Sequence, residues 1–116
     1  MRFLVTMAEP RHYDRWAGLS DDDRAAAFAA FEKYAAAVAG RGEVLAGEGL
    51  AHPGEARTVG PGSGESRAVT DGPYAETAEQ IGGFFLVELP DLEAAVTTSR
   101  LLPEAFSIEV RPVVPG

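Results

Sequence analysis

Residues 2–7 carry apolar side chains on both faces of a strand, with Phe3, Val5 and Met7 on one face and Leu4 beside Thr6 on the other. A strand of this kind needs a cover on each side. Helices can supply one cover. The second has to come from elsewhere, and that requirement shapes the whole reading of the chain.

Residues 8–19 read as a polar connection containing Pro10, His12 and Trp16. Ser20 then opens the clearest helix, over 20–39. Its hydroxyl suits the free amides of a first turn, and Asp21, Asp22 and Asp23 suit the positive end of the helix dipole. Phe28, Phe31, Ala35 and Val38 recur at helical spacing, which predicts one inward face, and Gly40 is a natural stop. A second strand is predicted over 43–50. Residues 56–59 and 67–70 read as a hairpin around the turn Gly60-Pro61-Gly62-Ser63-Gly64. Residues 81–89 form the next strand. Asp91 caps a second helix whose inward stripe is Leu92, Ala95, Val96 and Ser99. The last strand runs roughly over 106–113.

The order is therefore β-α-β-(β-hairpin)-β-α-β. It predicts a single α+β domain over 1–116. The expected core is a ferredoxin-like antiparallel sheet of five or six strands with both helices on one face. Two helices cover only one face of strands that are apolar on both. A homodimer is the expected second cover.

With 46% hydrophobic and 24% charged residues over 116 positions, the chain is an ordinary globular one. Its formal net charge of -8 argues against nucleic acid and against anionic membrane surfaces, both of which call for basic patches. The absence of cysteine excludes disulfides, thiolate metal sites and cysteine nucleophiles. The N-terminal apolar run is too short for a signal peptide or a membrane span, so a cytoplasmic location is expected. Lys33 is the single lysine among ten basic residues, in a composition rich in alanine and glycine that suggests a high-GC bacterium.

The run Asp71-Gly72-Pro73-Tyr74-Ala75-Glu76-Thr77-Ala78-Glu79-Gln80-Ile81-Gly82-Gly83-Phe84-Phe85 resembles the signature of YCII-related proteins of the DGPF branch. Gly47-Glu48-Gly49-Leu50, Leu19-Ser20-Asp21-Asp22-Asp23-Arg24 and Ser107-Ile108-Glu109-Val110-Arg111-Pro112 are similar to other parts of that family. The resemblance implies a ferredoxin-like domain that pairs as a dimeric α+β barrel, of bacterial origin and with no agreed reaction. Related barrels host lactone isomerases and cofactor-free monooxygenases, while genomic neighbours of the family include sigma factors. Tyr74 stands where phenylalanine is usual, and Ala78 where lysine is common. The wider family is also similar in carrying a histidine near its first helix and an aspartate before its last strand. Here the predicted first helix has no histidine and 101–106 no aspartate, so that dyad does not carry over.

Two functions follow as expectations: a small-molecule binder or enzyme with a pocket on the sheet face, and a non-catalytic regulatory module linked to sigma factors or stress. A pocket lined by convergent acids would favour the first, and a filled interior with an outer patch of exposed apolar residues the second. The candidate site gathers Glu48, Asp71, Tyr74, Thr77, Glu79 and Arg111, with Glu48 and Asp71 as candidate catalytic groups. Glu48 is an acid in an apolar strand between two glycines, which calls for an ion pair, for example with Arg111 or Arg67, or for a cavity. Asp71-Gly72-Pro73 is either a rigid turn or a carboxylate held at a pocket mouth. Glu109 and Arg111 read as an ion pair at the sheet or at a dimer interface. His12 and His52 read mainly as loop histidines, although either has acid–base capacity. No paired-histidine metal spacing, phosphate loop or serine triad is present, so neither a metal nor a cofactor is expected.

Overall fold

The computed structural model describes every residue except 76–78. Among the described residues the strands are β1 (Arg2–Pro10), β2 (Glu43–Gly49), β3 (Arg57–Val59), β4 (Val69–Asp71), β5 (Glu79–Glu88) and β6 (Ser107–Pro112). The α-helices are α1 (His12–Ala17), α2 (Asp21–Ala39) and α3 (Leu92–Ser99). The order β2-β5-β1-β6 makes a four-stranded antiparallel sheet of ferredoxin-like topology. β3 and β4 pair only with each other. The expectation of five or six strands in one sheet is thus corrected. The hairpin strands are three residues each and are flanked by Pro53 and Pro73, which cannot donate to a ladder.

Phe3, Val5 and Met7 face Tyr34 and Val38 of α2 and Ala94 and Ala95 of α3 in one buried core, so α2 and α3 lie on the same side. Both caps form as expected. The Ser20 hydroxyl accepts from the Asp23 amide at 3.1 Å, and the Asp91 carboxylate from the Ala94 amide at 2.8 Å. The inward stripe of α3 is rotated from the expected one. Ala94, Ala95, Thr98 and Ser99 are buried, while Leu92 and Val96 are exposed. The Thr98 and Ser99 hydroxyls donate to carbonyls one turn back, at 2.9 and 2.7 Å, so these small residues enter the core with their polar atoms satisfied. No described helix is long and apolar enough to cross a membrane.

Tyr34 is wholly buried, and its hydroxyl has no hydrogen-bond partner among the described residues. Burial pushes its phenol up to about 12 from an ordinary 10.0. A raised value favours the folded state while the group is protonated. That stability is complete below pH 10 and disappears as pH rises through 12. The loss over this window is roughly 3 kcal/mol. Tyr34→Phe is expected to flatten it. At pH 7 the variant should gain about 1 kcal/mol by losing an orphaned hydroxyl. Urea unfolding at pH 7, 10 and 12 checks both. A variant less stable at pH 7 would show that the hydroxyl has a partner.

Candidate active site

The inward alternation of β1 continues past Met7 to Glu9, which is 2% exposed. A carboxylate at that depth must be paired. The next residues supply the partners. Arg11 takes a left-handed conformation (φ 53°) that turns the chain directly from β1 into α1. His12 and Arg15 thereby come back over Glu9. His12 Nδ1 lies 2.7 Å from Glu9 Oε1, and Arg15 Nε donates to Glu9 Oε2 at 2.8 Å. A carboxylate only accepts, so Nδ1 is the donor and Nε2 is the position that takes or gives a proton. Nε2 has no protein hydrogen bond among the described residues.

The ladder between β1 and β5 slips at Met7/Ala8, which leaves Gly82 as an extra residue in β5. A Cβ at Gly82 would fall on the His12 ring, beside Nε2. Glycine is therefore what lets the imidazole pack this closely against the strand. At Gly83 a Cβ would meet the Glu48 carbonyl oxygen at 2.9 Å, and at Gly47 the Phe85 ring at 2.6 Å.

His12 borders a cavity of about 430 Å³ between α1, α2 and the paired ends of β2 and β5. Its walls include Trp16, Phe28, Phe31 and Phe106, and the glycines of β2 and β5 form its floor. The rings stand in series. His12 lies 6.1 Å from Trp16 and 5.4 Å from Phe106, Trp16 lies 5.9 Å from Phe28, and Phe28 lies 6.3 Å from Phe31. Tyr13 closes one end. Its hydroxyl lies 2.9 and 2.8 Å from the Leu50 and Ala51 carbonyl oxygens, which share its one hydrogen, tying α1 to the end of β2. Burial raises its phenol above the ordinary value.

The residues singled out from the sequence do not gather around this cavity. Glu48 borders it through its strand. In the ladder, however, it stands opposite Phe84, and Gly47 opposite Phe85, so the pleat sends the Glu48 side chain to the face away from the helices. Glu109 and Arg111 pair with Thr6 and Leu4 on that same face. The row Glu48, Phe84, Thr6, Glu109 crosses the sheet. It puts Glu48 about 14 Å from β6 at three strand spacings. The expected partners of Glu48 are engaged elsewhere. Arg111 bonds Glu109, as expected, and Arg67 donates to the Gly60 carbonyl. The Glu109 carboxylate raises the Arg111 guanidinium above its ordinary value. Asp71 is exposed on the hairpin and pairs with Arg57 Nε at 3.1 Å. Tyr74 is 91% exposed. Glu79 opens β5 opposite Pro10, with the Ser107 hydroxyl 3.4 Å from its carboxylate. Thr77 lies outside the described residues.

Two expectations change here. Residues 8–19 are not a plain polar connection, since 8–10 prolong β1 and 12–17 are helical. The first helix therefore does hold a histidine, His12, and its partner is Glu9 rather than an aspartate before the last strand. Two signals in the sequence pointed this way. The alternation Phe3, Val5, Met7 continues to Glu9, and Glu9, His12 and Arg15 are spaced by three.

The model of the YCII-related domain family matches residues 1–115. An uncharacterised protein of Rhizobium meliloti (strain 1021) is 42% identical over 62 residues, covering 50% of this chain and 49% of that relative. The match thus spans about half of each.

Proposed function

The chain belongs to the YCII-related domain family, and on that premise we propose that it is a small-molecule enzyme whose acid–base group is His12. The observation that carries the proposal is a buried imidazole held by Glu9 at 2.7 Å on a residue that lines a 430 Å³ cavity. Nε2 takes a proton from a bound molecule or returns one. The positive charge then formed on the ring is met by Glu9, and Arg15 fixes Glu9 in turn. Glu9 and Arg15 are positioning residues. A general acid–base group of this kind contributes about 10²- to 10⁴-fold to a rate. The cavity favours this reading over a regulatory module, which would leave the interior filled.

Side-chain nitrogen NMR tests the arrangement, with only two histidines to assign. The expected result is a neutral His12 ring that carries its proton on Nδ1 and leaves Nε2 bare. A neutral ring bearing its proton on Nε2 would overturn the proposal.

A homodimer is part of the same reading. The face away from the helices presents Leu4, Phe84 and Leu86, with Glu48, Glu109 and Arg111 around them. A second copy packed sheet to sheet would cover this face as a dimeric barrel. Light scattering at micromolar concentration is expected to give twice the chain mass, and a monomer mass would refute the pairing. A cytoplasmic bacterial setting completes the proposal, supported by the cysteine-free, lysine-poor sequence.

A further inference from the structure

The chemistry of the cavity wall narrows the substrate class, given His12 as the acid–base group. Rings line the wall in sequence from Phe106 through His12 and Trp16 to Phe28 and Phe31, with centroid separations of 5.4 to 6.3 Å. Such spacings suit edge and offset contacts with another flat ring. The sheet side includes Gly47, Gly49, Gly82 and Gly83, whose missing side chains leave room for the His12 and Phe85 rings to pack against the strands. Among the described residues no lysine or arginine lines the cavity, and Glu48, which borders it, directs its side chain to the opposite face. Arg24 stacks on Trp16 at 5.9 Å and is bonded to the Trp16 carbonyl, so its charge serves the wall rather than the interior. Among the described residues an anionic ligand would therefore find no permanent cation at the wall. Among the described residues, His12 Nε2 and the Trp16 indole N–H are ring nitrogens on the lining without a hydrogen-bond partner, and of the two only Nε2 can accept a proton.

We propose that the cavity takes a planar, uncharged ring compound bearing an acidic hydroxyl, a phenol or cyclic enol, with that hydroxyl on His12 Nε2. The proton passes from the hydroxyl oxygen to Nε2, and the O–H electron pair stays on oxygen. The ring oxygen becomes an anion facing the imidazolium, and no other bond breaks. No oxidant is needed for this step.

Trp16, the sole tryptophan, reports binding by its fluorescence. The probe is 4-nitrophenol, titrated at a pH where the free compound is mainly neutral. Saturable quenching is expected, together with the absorption band of the phenolate. Cyclohexanol and benzoate, as competitors, should bind at least about tenfold more weakly, since one lacks the flat ring and the other carries a charge. Phe28 is 55% exposed, so Phe28→Ala should fold normally, and it should weaken 4-nitrophenol several-fold. His12→Gln should retain quenching and lose the phenolate band. Absence of saturable quenching in the folded protein, or cyclohexanol or benzoate competing as well as 4-nitrophenol, overturns the ring-compound proposal. Quenching without a phenolate band in the wild-type protein leaves ring binding standing and overturns the acid–base role of His12. The two failures are therefore told apart.

Discussion

Glu9→Ala is expected to cost about 3 kcal/mol of stability, because removing one member of a buried ion pair strands the others. The sign follows from where each partner lies. Glu9 and His12 side chains are 2% and 10% exposed, so His12 cannot recover water in exchange for the lost carboxylate. Arg15 is 39% exposed and returns to solvent more readily. The cost therefore sits with the imidazole and the vacated space. A loss of this size lowers the melting temperature by roughly 10 °C or more in a domain of this length. Glu9→Gln keeps an acceptor and most of the volume, so it should melt closer to wild type. It should nevertheless lose the fixed Nδ1–H form of His12, seen in the side-chain NMR spectrum. If Glu9→Ala melts like wild type, the buried cluster is not what holds α1 on the sheet.

Gly82→Ala is the second large effect. The added methyl would occupy the position of the His12 ring, so either the ring or strand β5 must move. Overpacking of this kind costs about 1–3 kcal/mol. A displacement of His12 by about 1 Å lowers proton transfer in the cavity by about 10²-fold. Gly40→Ala, away from the cavity, is the control. Its Cβ would meet the Ala36 and Ala37 carbonyls at 3.6 Å, ordinary contacts. Thermal melts of the two variants, with the phenolate band as the site readout, separate a specific clash from a general loss of glycine. Equal behaviour of both variants would remove Gly82 from the argument.

Much of the architecture could be read from the residues. The Ser20 and Asp91 caps, the alternation of β1 and the two βα units gave an antiparallel sheet with α2 and α3 on one side, and the sheet is there. The hairpin was found too, but not its detachment. Pairing of β3 and β4 is local, whereas joining the main sheet depends on an edge that sequence does not display. The site was harder to see. α1 has six residues, too few for a periodic pattern, and a left-handed Arg11 gives no compositional signal. Glu48 drew attention as an acid between glycines, yet a register shift between Val44 and Ala46 and the pleat decide its face. A polar residue in an apolar alternation, Glu9, was the stronger clue.

The strand order β2-β5-β1-β6 has a consequence for how the chain reaches its native state. Each ladder of the main sheet joins a strand before the hairpin to one after it, as in the pairing of Phe3 with Pro112 and Gly47 with Phe85. Neither half of the sequence can make any part of the sheet alone. High contact order of this kind makes folding slow relative to helical proteins and sensitive to the closure of long loops. It also means that a chain severed in the exposed turn at 60–66 would remain one body, held by every ladder of the sheet, while its separated fragments would have to meet before either could acquire structure.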